Sequence, residues 1–208
     1  MILHGYWRSS AAWRVRIALA LKGLTAEQAY HHLRRSEQRA PDYLRLNPQG
    51  LLPTLETSQG ILTQSLAIIE WLDETHPAPP LLPGDPWQRA RIRAAALVVA
   101  ADTHPLQNLS LLGRVRKLGG DDAAQAWARD ANAAGLFALA TLTEANPGPF
   151  LFGPAPTLAD LCLVPQLYNA RRFNVADLPS RLLTAEAACQ TLPAFADTAP
   201  ERQPDAEP

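Results

Sequence analysis

The sequence predicts an α/β domain at the N-terminus followed by an all-α domain. Short apolar runs that suit strands alternate with helical patterns over about the first eighty residues. The segment 76–86 then contains five prolines and a glycine, which the interior of a helix or strand does not tolerate. After this segment the strand patterns stop. We therefore predict domains at 1–77 and 87–208, joined by a linker at 78–86.

The first domain shows the order βαβ followed by αββα. A turn of Ser-Gln-Gly at 58–60 separates its last two strands. This order is that of a thioredoxin-like domain, in which helices cover a mixed sheet. The predicted strands are 2–6, 26–33, 54–56 and 61–63, and the predicted helices are 11–22, 38–46 and 65–74.

The second domain begins with a capped helix. Asp85 can accept a hydrogen bond as the N-cap, and Pro86 suits the first turn. Apolar residues then recur at helical spacing. Pro105 should end or kink this helix near His104.

Two further helices and a tail complete the second domain. A long helix is predicted at 121–144, before the sequence Asn-Pro-Gly-Pro. Thr157 and Asp160 form a capping-box pattern that predicts the start of another apolar helix. The tail at 200–208 is rich in proline and acidic residues, so we expect it to be poorly ordered.

Composition excludes several classes of function. Of 208 residues, 47% are hydrophobic and the formal net charge is -1, with no basic stripe that would suit a nucleic acid. No apolar run approaches the roughly 20 residues that span a membrane. The N-terminus does not resemble a secretory signal. We therefore expect a cytoplasmic globular protein without nucleic-acid or membrane partners.

The cysteines and histidines do not predict a metal site. Cys162 and Cys189 are not spaced as Cys-x-x-Cys, so they are best interpreted as small buried residues in a reducing compartment. His4, His31 and His32 have no partners at metal-ligand spacing and are interpreted as strand or surface residues. No metal is expected.

Two predicted helix starts carry hydroxyl and amide side chains. Ser9 and Ser10 precede one apolar helix, and Gln64 and Ser65 precede another. Each pair could simply cap its helix. A helix N-terminus also favours an anion, because its N-H groups are unpaired and its dipole is positive there. One start suits a thiolate and the other a carboxylate, so glutathione could bridge them.

Leu52, Pro53 and Thr54 follow a loop and open a strand. Proline accepts a cis peptide bond far more readily than other residues, and a cis bond would direct the Leu52 backbone groups at a peptide ligand. An ordinary trans proline at a strand start is the alternative. The thioredoxin-like order favours the cis form.

Six ordered motifs resemble the zeta-class glutathione transferases, the maleylacetoacetate isomerase family. The run Ser-Ser-Ala-Ala-Trp-Arg-Val-Arg-Ile-Ala-Leu at 9–19 is similar to the family signature, except that Ala11 stands where the family usually has cysteine. The other motifs are Asn47-Pro48 with Leu52 to Leu55, Gln64 to Glu70, Pro105 to Leu109, Leu158 to Gln166, and Arg202 to Asp205.

The resemblance implies a glutathione transferase fold, a homodimer and glutathione as cosubstrate. It implies that Ser9 and Ser10 hold the glutathione thiolate beside Ala11, with Ser9 as our first choice. The other residues that it assigns to glutathione are Gln38, Leu52, Pro53, Gln64, Ser65, Gln107 and Asn108. Since Ala11 has no thiol, a protein nucleophile at that position is excluded.

Arginines are the candidates for binding a substrate carboxylate. Arg8 and Arg172 match family positions suited to this role, together with His104. Arg172 could instead only complement the end of its helix. Arg14 and Arg16 are interpreted as a solvated helix face.

The implied activity is glutathione-dependent cis-trans isomerisation of maleylacetoacetate to fumarylacetoacetate in aromatic catabolism. The thiolate would add to the cis double bond, and rotation followed by its expulsion would give the trans product. His104 and Arg172, the second arginine of an Arg-Arg pair, resemble bacterial maleylpyruvate isomerases of the same class, whereas Leu109-Ser110 looks like the maleylacetoacetate enzymes. The choice between the two substrates therefore stays open. A general glutathione transferase and a non-catalytic binding module of this fold are further alternatives.

Overall fold

The computed structural model describes residues 1–207, which form two compact units. One unit contains residues 1–81 and the chain from Thr191 onwards, and the other contains residues 82–190. The division after Leu81 falls inside the predicted linker.

The first unit contains a four-stranded mixed sheet. The strands are β1 (Ile2–Gly5), β2 (Glu27–Tyr30), β3 (Thr54–Thr57) and β4 (Gly60–Thr63), and the helices are α1 (Ser10–Leu21), α2 (Pro41–Leu46) and α3 (Ser65–Thr75). The sheet order is β2-β1-β3-β4, with β1 parallel to β2 and the other pairs antiparallel. The predicted thioredoxin-like fold is confirmed. The predicted helix at 38–46 is shorter, because two 3-10 turns precede Pro41.

Helix α1 is buried on almost every side. All residues from Ser10 to Leu19 are buried, and α1 packs against α3. Arg14 and Arg16 are 1% and 6% exposed, so the predicted solvated face is wrong. A helix that is apolar all round belongs in a core, and charged residues within it need internal partners.

The second unit is helical. Its helices are α4 (Pro86–Leu97), α5 (Leu109–Thr143), α6 (Leu158–Arg172) and α7 (Ser180–Gln190). Asp85 caps α4 as predicted, accepting a hydrogen bond from Gln88 N at 2.8 Å. A π-helical turn at Val98–Thr103 and a 3-10 turn at His104–Gln107 follow α4. The regular helix therefore ends before Pro105.

Helix α5 begins earlier than predicted. It starts at Leu109 and contains a break at Gly120, whose φ of 84° lies in the region that favours glycine. The predicted start at Asp121 is the residue after this break. Further along, a Cβ at Gly135 would lie 1.9 Å from Thr103 Oγ1, so glycine permits close packing of α5 on the π-helical turn.

The C-terminal segment packs within the first unit. It forms a short helix, α8 (Pro193–Ala196), and a 3-10 turn at Pro200–Arg202. Trp13 Nε1 donates to Thr198 Oγ1 at 3.1 Å, and Trp7 N donates to Asp205 Oδ2 at 2.9 Å. We expected a poorly ordered tail, but up to residue 207 the tail forms a turn and makes specific hydrogen bonds. Pro208 lies outside the described residues.

Both cysteines are buried and free, as their interpretation from the sequence requires. Burial raises the pKa of the Cys189 thiol, with the negative charges of Asp160 and Glu186 adding to the effect. Within residues 1–207, no cluster of three or more His, Cys, Asp or Glu side chains is arranged to hold a metal ion. None of the helices in this part of the chain is long and apolar enough to cross a membrane.

Candidate active site

The loop between β1 and α1 presents two buried serines at a helix start. Ser9 is the N-cap of α1, and its Oγ accepts a hydrogen bond from Ala12 N at 3.2 Å. Ser10 is the first residue of the helix, and no acidic residue lies in the first turn. The positive end of the helix dipole therefore meets no protein carboxylate in that turn, which favours a thiolate there.

The residues that flank the two serines are Arg8 and Ala11. Ala11 is buried and provides no thiol. Arg8 is half-buried, and its guanidinium carbon lies 4.9 Å from the Trp7 ring centroid. The aromatic ring supports the arginine stem while its charge remains available to an anion.

The peptide bond between Leu52 and Pro53 is cis, as predicted. The backbone carbonyl of the preceding residue, Leu51, accepts hydrogen bonds from Tyr43 Oη at 2.6 Å and from Asn47 Nδ2 at 2.8 Å. Within residues 1–207, neither the N-H nor the C=O of Leu52 has a hydrogen-bond partner. These two groups are therefore free to pair with an extended peptide ligand.

The start of α3 forms the second anion site of this unit. Gln64 has a φ of 69°, rare for a residue other than glycine, and its exposed side chain donates to Gln49 Oε1 at 2.9 Å. Ser65 is buried and its Oγ accepts from Arg14 Nη1 at 3.3 Å. A cation and unpaired helix N-H groups therefore lie together, an arrangement that suits a carboxylate.

Gln38 lies on the 3-10 turn Glu37–Arg39. Its Oε1 is buried without a hydrogen-bond partner among residues 1–207. An unpaired buried polar atom costs roughly 1 to 3 kcal/mol, which a bound polar group would recover. Gln38 is thus suited to contact a ligand.

In the second unit, Gln107 belongs to a buried network of three amides. Its Oε1 accepts from Asn132 Nδ2 at 2.6 Å, and its Nε2 donates to Gln166 Oε1 at 3.3 Å. Gln166 Nε2 in turn donates to Asn132 Oδ1 at 2.5 Å. The side chain of Gln107 is therefore engaged inside this unit, and its predicted role toward glutathione stays a prediction.

Asn108 and His104 lie at the ends of the same turn. Asn108 is the N-cap residue of α5, but its side chain makes no capping hydrogen bond. Its amide therefore remains available as a polar contact. His104 is half-buried and begins the 3-10 turn.

Arg172 lies in the last turn of α6, as predicted, and its side chain is exposed. Its Nη1 donates to Asn169 Oδ1 at 3.0 Å, and its guanidinium carbon lies 5.5 Å from the Phe173 ring centroid. Arg171 instead forms a bidentate ion pair with Glu186. The two adjacent arginines therefore differ in their recorded contacts: Arg171 pairs with the carboxylate of Glu186, and Arg172 donates to the amide oxygen of Asn169.

Sequence reasoning missed three residues that support the first unit's sites. Arg14 donates to Ser65, Arg16 binds the carbonyls of Tyr6 and Trp7, and Asp205 binds the Trp7 N-H. The signal for the arginines was available: apolar residues surround them on every face of α1. Asp205 had no comparable local signal.

The first unit has the features of a glutathione-binding domain. The start of α1, the unpaired backbone of Leu52 and the start of α3 have the chemistry that would suit the thiol, the peptide groups and the γ-glutamyl carboxylate of glutathione. A thioredoxin-like unit of this kind followed by a helical unit defines the glutathione transferase class.

Comparison with known proteins narrows this class. Residues 3–80 match the family described as glutathione S-transferase, N-terminal domain. Maleylacetoacetate isomerase of Dictyostelium discoideum is 43% identical over 211 residues, covering 100% of this chain and 96% of the relative.

Two solved structures are similar over nearly their whole length. A holo structure of a bacterial zeta-class maleylpyruvate isomerase has a TM-score of 0.95 and 44% identity, with 100% of both chains covered. Maleylacetoacetate isomerase from Anaeromyxobacter dehalogenans 2CP-1, with glutathione bound in its active site, has a TM-score of 0.89 and 46% identity, covering 99% of this chain and 97% of that one. The chain therefore belongs to the zeta-class glutathione transferases, the maleylacetoacetate isomerase family.

Proposed function

We propose that this chain is a glutathione-dependent isomerase that converts maleylacetoacetate to fumarylacetoacetate. The observation that carries the proposal is the start of α1, where Ser9 and Ser10 flank a helix N-terminus with no protein thiol at Ala11. The site can stabilise a thiolate but does not contain one. The sulfur must therefore come from a bound thiol, as in a glutathione-dependent reaction.

Glutathione, when bound, supplies a sulfur nucleophile that adds reversibly to the cis double bond of the substrate. Ser9 donates a hydrogen bond to the thiolate, and the α1 N-terminus lowers the pKa of the thiol. The buried position of Ser9 and Ser10 limits water around the charge, which strengthens both interactions. These residues thus keep the sulfur ionised at neutral pH.

The remaining residues of the first unit fix the ligand. Leu52 pairs its backbone N-H and C=O with the cysteinyl peptide groups, beside Pro53. Gln64 and Ser65 bind the γ-glutamyl end, where Arg14 adds positive charge. Gln38 contacts the glycyl end, where its unpaired Oε1 accepts a hydrogen bond from the glycyl N-H. Multiple contacts reduce the freedom of the bound thiol and hold it for attack.

Arginines are proposed to bind the carboxylates of the substrate. Arg8 adjoins Ser9, and Arg172 is exposed in the last turn of α6. A planar guanidinium suits a carboxylate better than an ammonium does. A cation near the keto group also stabilises negative charge that develops on the substrate during addition. Gln107, Asn108 and His104 are proposed to complete binding from the second unit.

Maleylpyruvate is the second candidate substrate. His104 and the Arg171-Arg172 pair resemble the maleylpyruvate enzymes, and the structure with a TM-score of 0.95 is described as a maleylpyruvate isomerase. Assays of the two substrates under identical conditions test this choice. We expect kcat/KM for maleylacetoacetate to exceed that for maleylpyruvate at least tenfold. The reverse ratio would assign the chain to maleylpyruvate.

We also infer a cytoplasmic homodimer that functions in aromatic catabolism. Two free, buried cysteines support a reducing compartment. Large apolar side chains such as Trp87 and Phe137 are 73% and 70% exposed, which supports burial against another copy. Sedimentation equilibrium should give twice the mass of one chain.

A further inference from the structure

In the loop that carries Arg8 and Ser9, side chains bind both a backbone N-H group and backbone carbonyl groups. Trp7 N donates to Asp205 Oδ2 at 2.9 Å. Arg16 Nη2 donates to Trp7 O at 2.9 Å, and Arg16 Nη1 lies 3.5 Å from Tyr6 O. Ser9 N donates to the same Tyr6 carbonyl at 2.9 Å. The backbone leading into Ser9 therefore depends on one cation and one anion.

Asp205 reaches this loop from the opposite end of the chain, 198 residues away from Trp7. The segment that carries it is anchored to α1 at a second point. Trp13 Nε1 donates to Thr198 Oγ1 at 3.1 Å, and Arg16 Nε donates to Thr198 O at 3.3 Å. Arg16 thus binds both the loop and the C-terminal segment. These hydrogen bonds attach the segment that carries Asp205 to α1, which restricts the position of its carboxylate.

The contact is partly buried. Trp7 is 6% exposed and Arg16 is likewise 6% exposed. Burial lowers the pKa of Arg16 to about 10, and the negative charge of Asp205 opposes this effect. The second oxygen of Asp205, Oδ1, is buried without a partner among residues 1–207. Within the described residues, the hydrogen bond to Trp7 is the direct contact of this carboxylate with the loop.

We propose that Asp205 is a positioning residue for the thiolate site, acting through the Trp7 N-H to set the place of Ser9. This inference rests on the proposed function, since it concerns the thiolate that Ser9 binds. Asp205 does not itself touch the ligand. Its hydrogen bond, rather than its charge, is the feature that matters.

The hydrogen bond and the charge can be separated with two variants. Asp205→Ala removes both, whereas Asp205→Asn keeps an oxygen acceptor and removes the charge. Glu207→Gln is the matched control, because Glu207 is a tail carboxylate that pairs with His32 and Arg35 instead of the loop. For each full-length variant, the pKa of the bound glutathione thiol is measured by thiolate absorbance, together with KM for glutathione and kcat.

We expect Asp205→Ala to raise the pKa of the bound thiol by about one unit and to lower kcat/KM for glutathione about tenfold. Asp205→Asn and Glu207→Gln should remain within twofold of the parent and keep its thiol pKa. Slow deuterium exchange of the Trp7 amide should be lost in Asp205→Ala alone. If that variant does not fold, Asp205→Glu, which displaces the carboxylate by one methylene, should raise the thiol pKa in the same direction.

Two results would overturn the positioning role. Asp205→Ala could melt at a lower temperature yet keep the thiol pKa and KM of the parent, which would make the contact purely structural. Asp205→Asn could be as impaired as Asp205→Ala, which would make the charge the important feature. Failure of the proposed function is distinguishable, because the parent would then not isomerise maleylacetoacetate, whereas the effect of Asp205→Ala on the thiol pKa is measured without that substrate.

Discussion

At the scale of single residues, Ser9 shows that a helix cap and a ligand contact are compatible. A hydroxyl has one donor hydrogen and two acceptor lone pairs. The Oγ of Ser9 accepts from Ala12 N, and no other hydrogen bond of this oxygen is present within residues 1–207. Its hydrogen therefore remains available for a thiolate. The cap therefore does not prevent a ligand contact, and that contact stays a prediction.

Replacing Ser9 with alanine should slow isomerisation by one to two orders of magnitude. A hydrogen bond to a charged group contributes about 1.5 to 3 kcal/mol, and the variant loses it in the step that needs the thiolate. The pKa of the bound thiol should rise. Steady-state rates and thiolate absorbance check this, with Ser10→Ala as the milder comparison. An unchanged rate and thiol pKa in Ser9→Ala would transfer the role to Ser10 or to the helix N-terminus.

Replacing Arg172 with methionine should lower kcat/KM for the keto-dicarboxylate by at least 2 kcal/mol, about thirtyfold. Methionine keeps an apolar stem, but the substrate carboxylate loses its partner. Glutathione affinity and activity toward an uncharged chloronitrobenzene should survive. Parallel kinetics and melting curves provide the measurement.

Arg171→Met is the matched control for Arg172, because it removes the neighbouring charge in the same helical turn. Arg171 pairs with Glu186 at the surface, so its loss should cost up to about 1 kcal/mol of stability and leave kinetics unchanged. If Arg172→Met behaves in the same way, Arg172 only complements the helix end, and Arg8 becomes the remaining candidate.

At the scale of elements, the sequence correctly predicted the start of α6 but not the burial of α1. The capping box predicted from Thr157 and Asp160 is confirmed, with both reciprocal hydrogen bonds present. Local spacing suffices there, because a capping box is formed by side chains three residues apart. The environment of Arg14 and Arg16 depends on what packs around α1, and the alternation of charge suggested solvent instead.

Asp160 should make the stability of the parent fall as pH rises from about 4 to 6. Burial raises its pKa from 3.8 to about 6, although hydrogen bonds from Leu151 and Thr157 act in the other direction. Its contribution is complete below about pH 4 and is lost as pH rises through 6. Each pH unit inside this window corresponds to about 1.4 kcal/mol.

Denaturant unfolding of the parent and of Asp160→Asn at several pH values isolates this titration from other carboxyls. The variant loses an acceptor for buried donors and should be less stable at every pH. The difference in the free energy of unfolding between the parent and Asp160→Asn should be largest near pH 4. It should decrease by about 2 to 3 kcal/mol by pH 7. Two parallel curves would show that Asp160 does not titrate in this window.

At the scale of the whole molecule, sequence predicted the class and missed a long-range connection. Alternating strands and helices predicted the first unit, and the proline-rich segment 76–86 contains the division between the units. Composition suggested a poorly ordered tail, but Asp205 and Glu207 pair with the first unit. A polar segment bound by a few specific hydrogen bonds has no periodicity that sequence reasoning can detect.

The site shows the same limit. The helix starts at Ser9 and Ser65 were predictable from local sequence, but only Ser9 caps its helix with its side chain, because Gln64 makes no capping hydrogen bond. The buried amide network that engages Gln107 joins α5 and α6 with the turn before them, so it follows from tertiary packing alone. The roles of these residues toward ligands stay predictions that the variants above test.

The most direct test of isomerisation follows free glutathione and product together in one reaction. If the sulfur adds and then leaves, many product molecules should form per glutathione while the concentration of free thiol stays constant. We expect trans product to accumulate at substoichiometric glutathione and to depend on its presence. A loss of free thiol equal to the product formed would contradict isomerisation and identify a conjugating transferase instead.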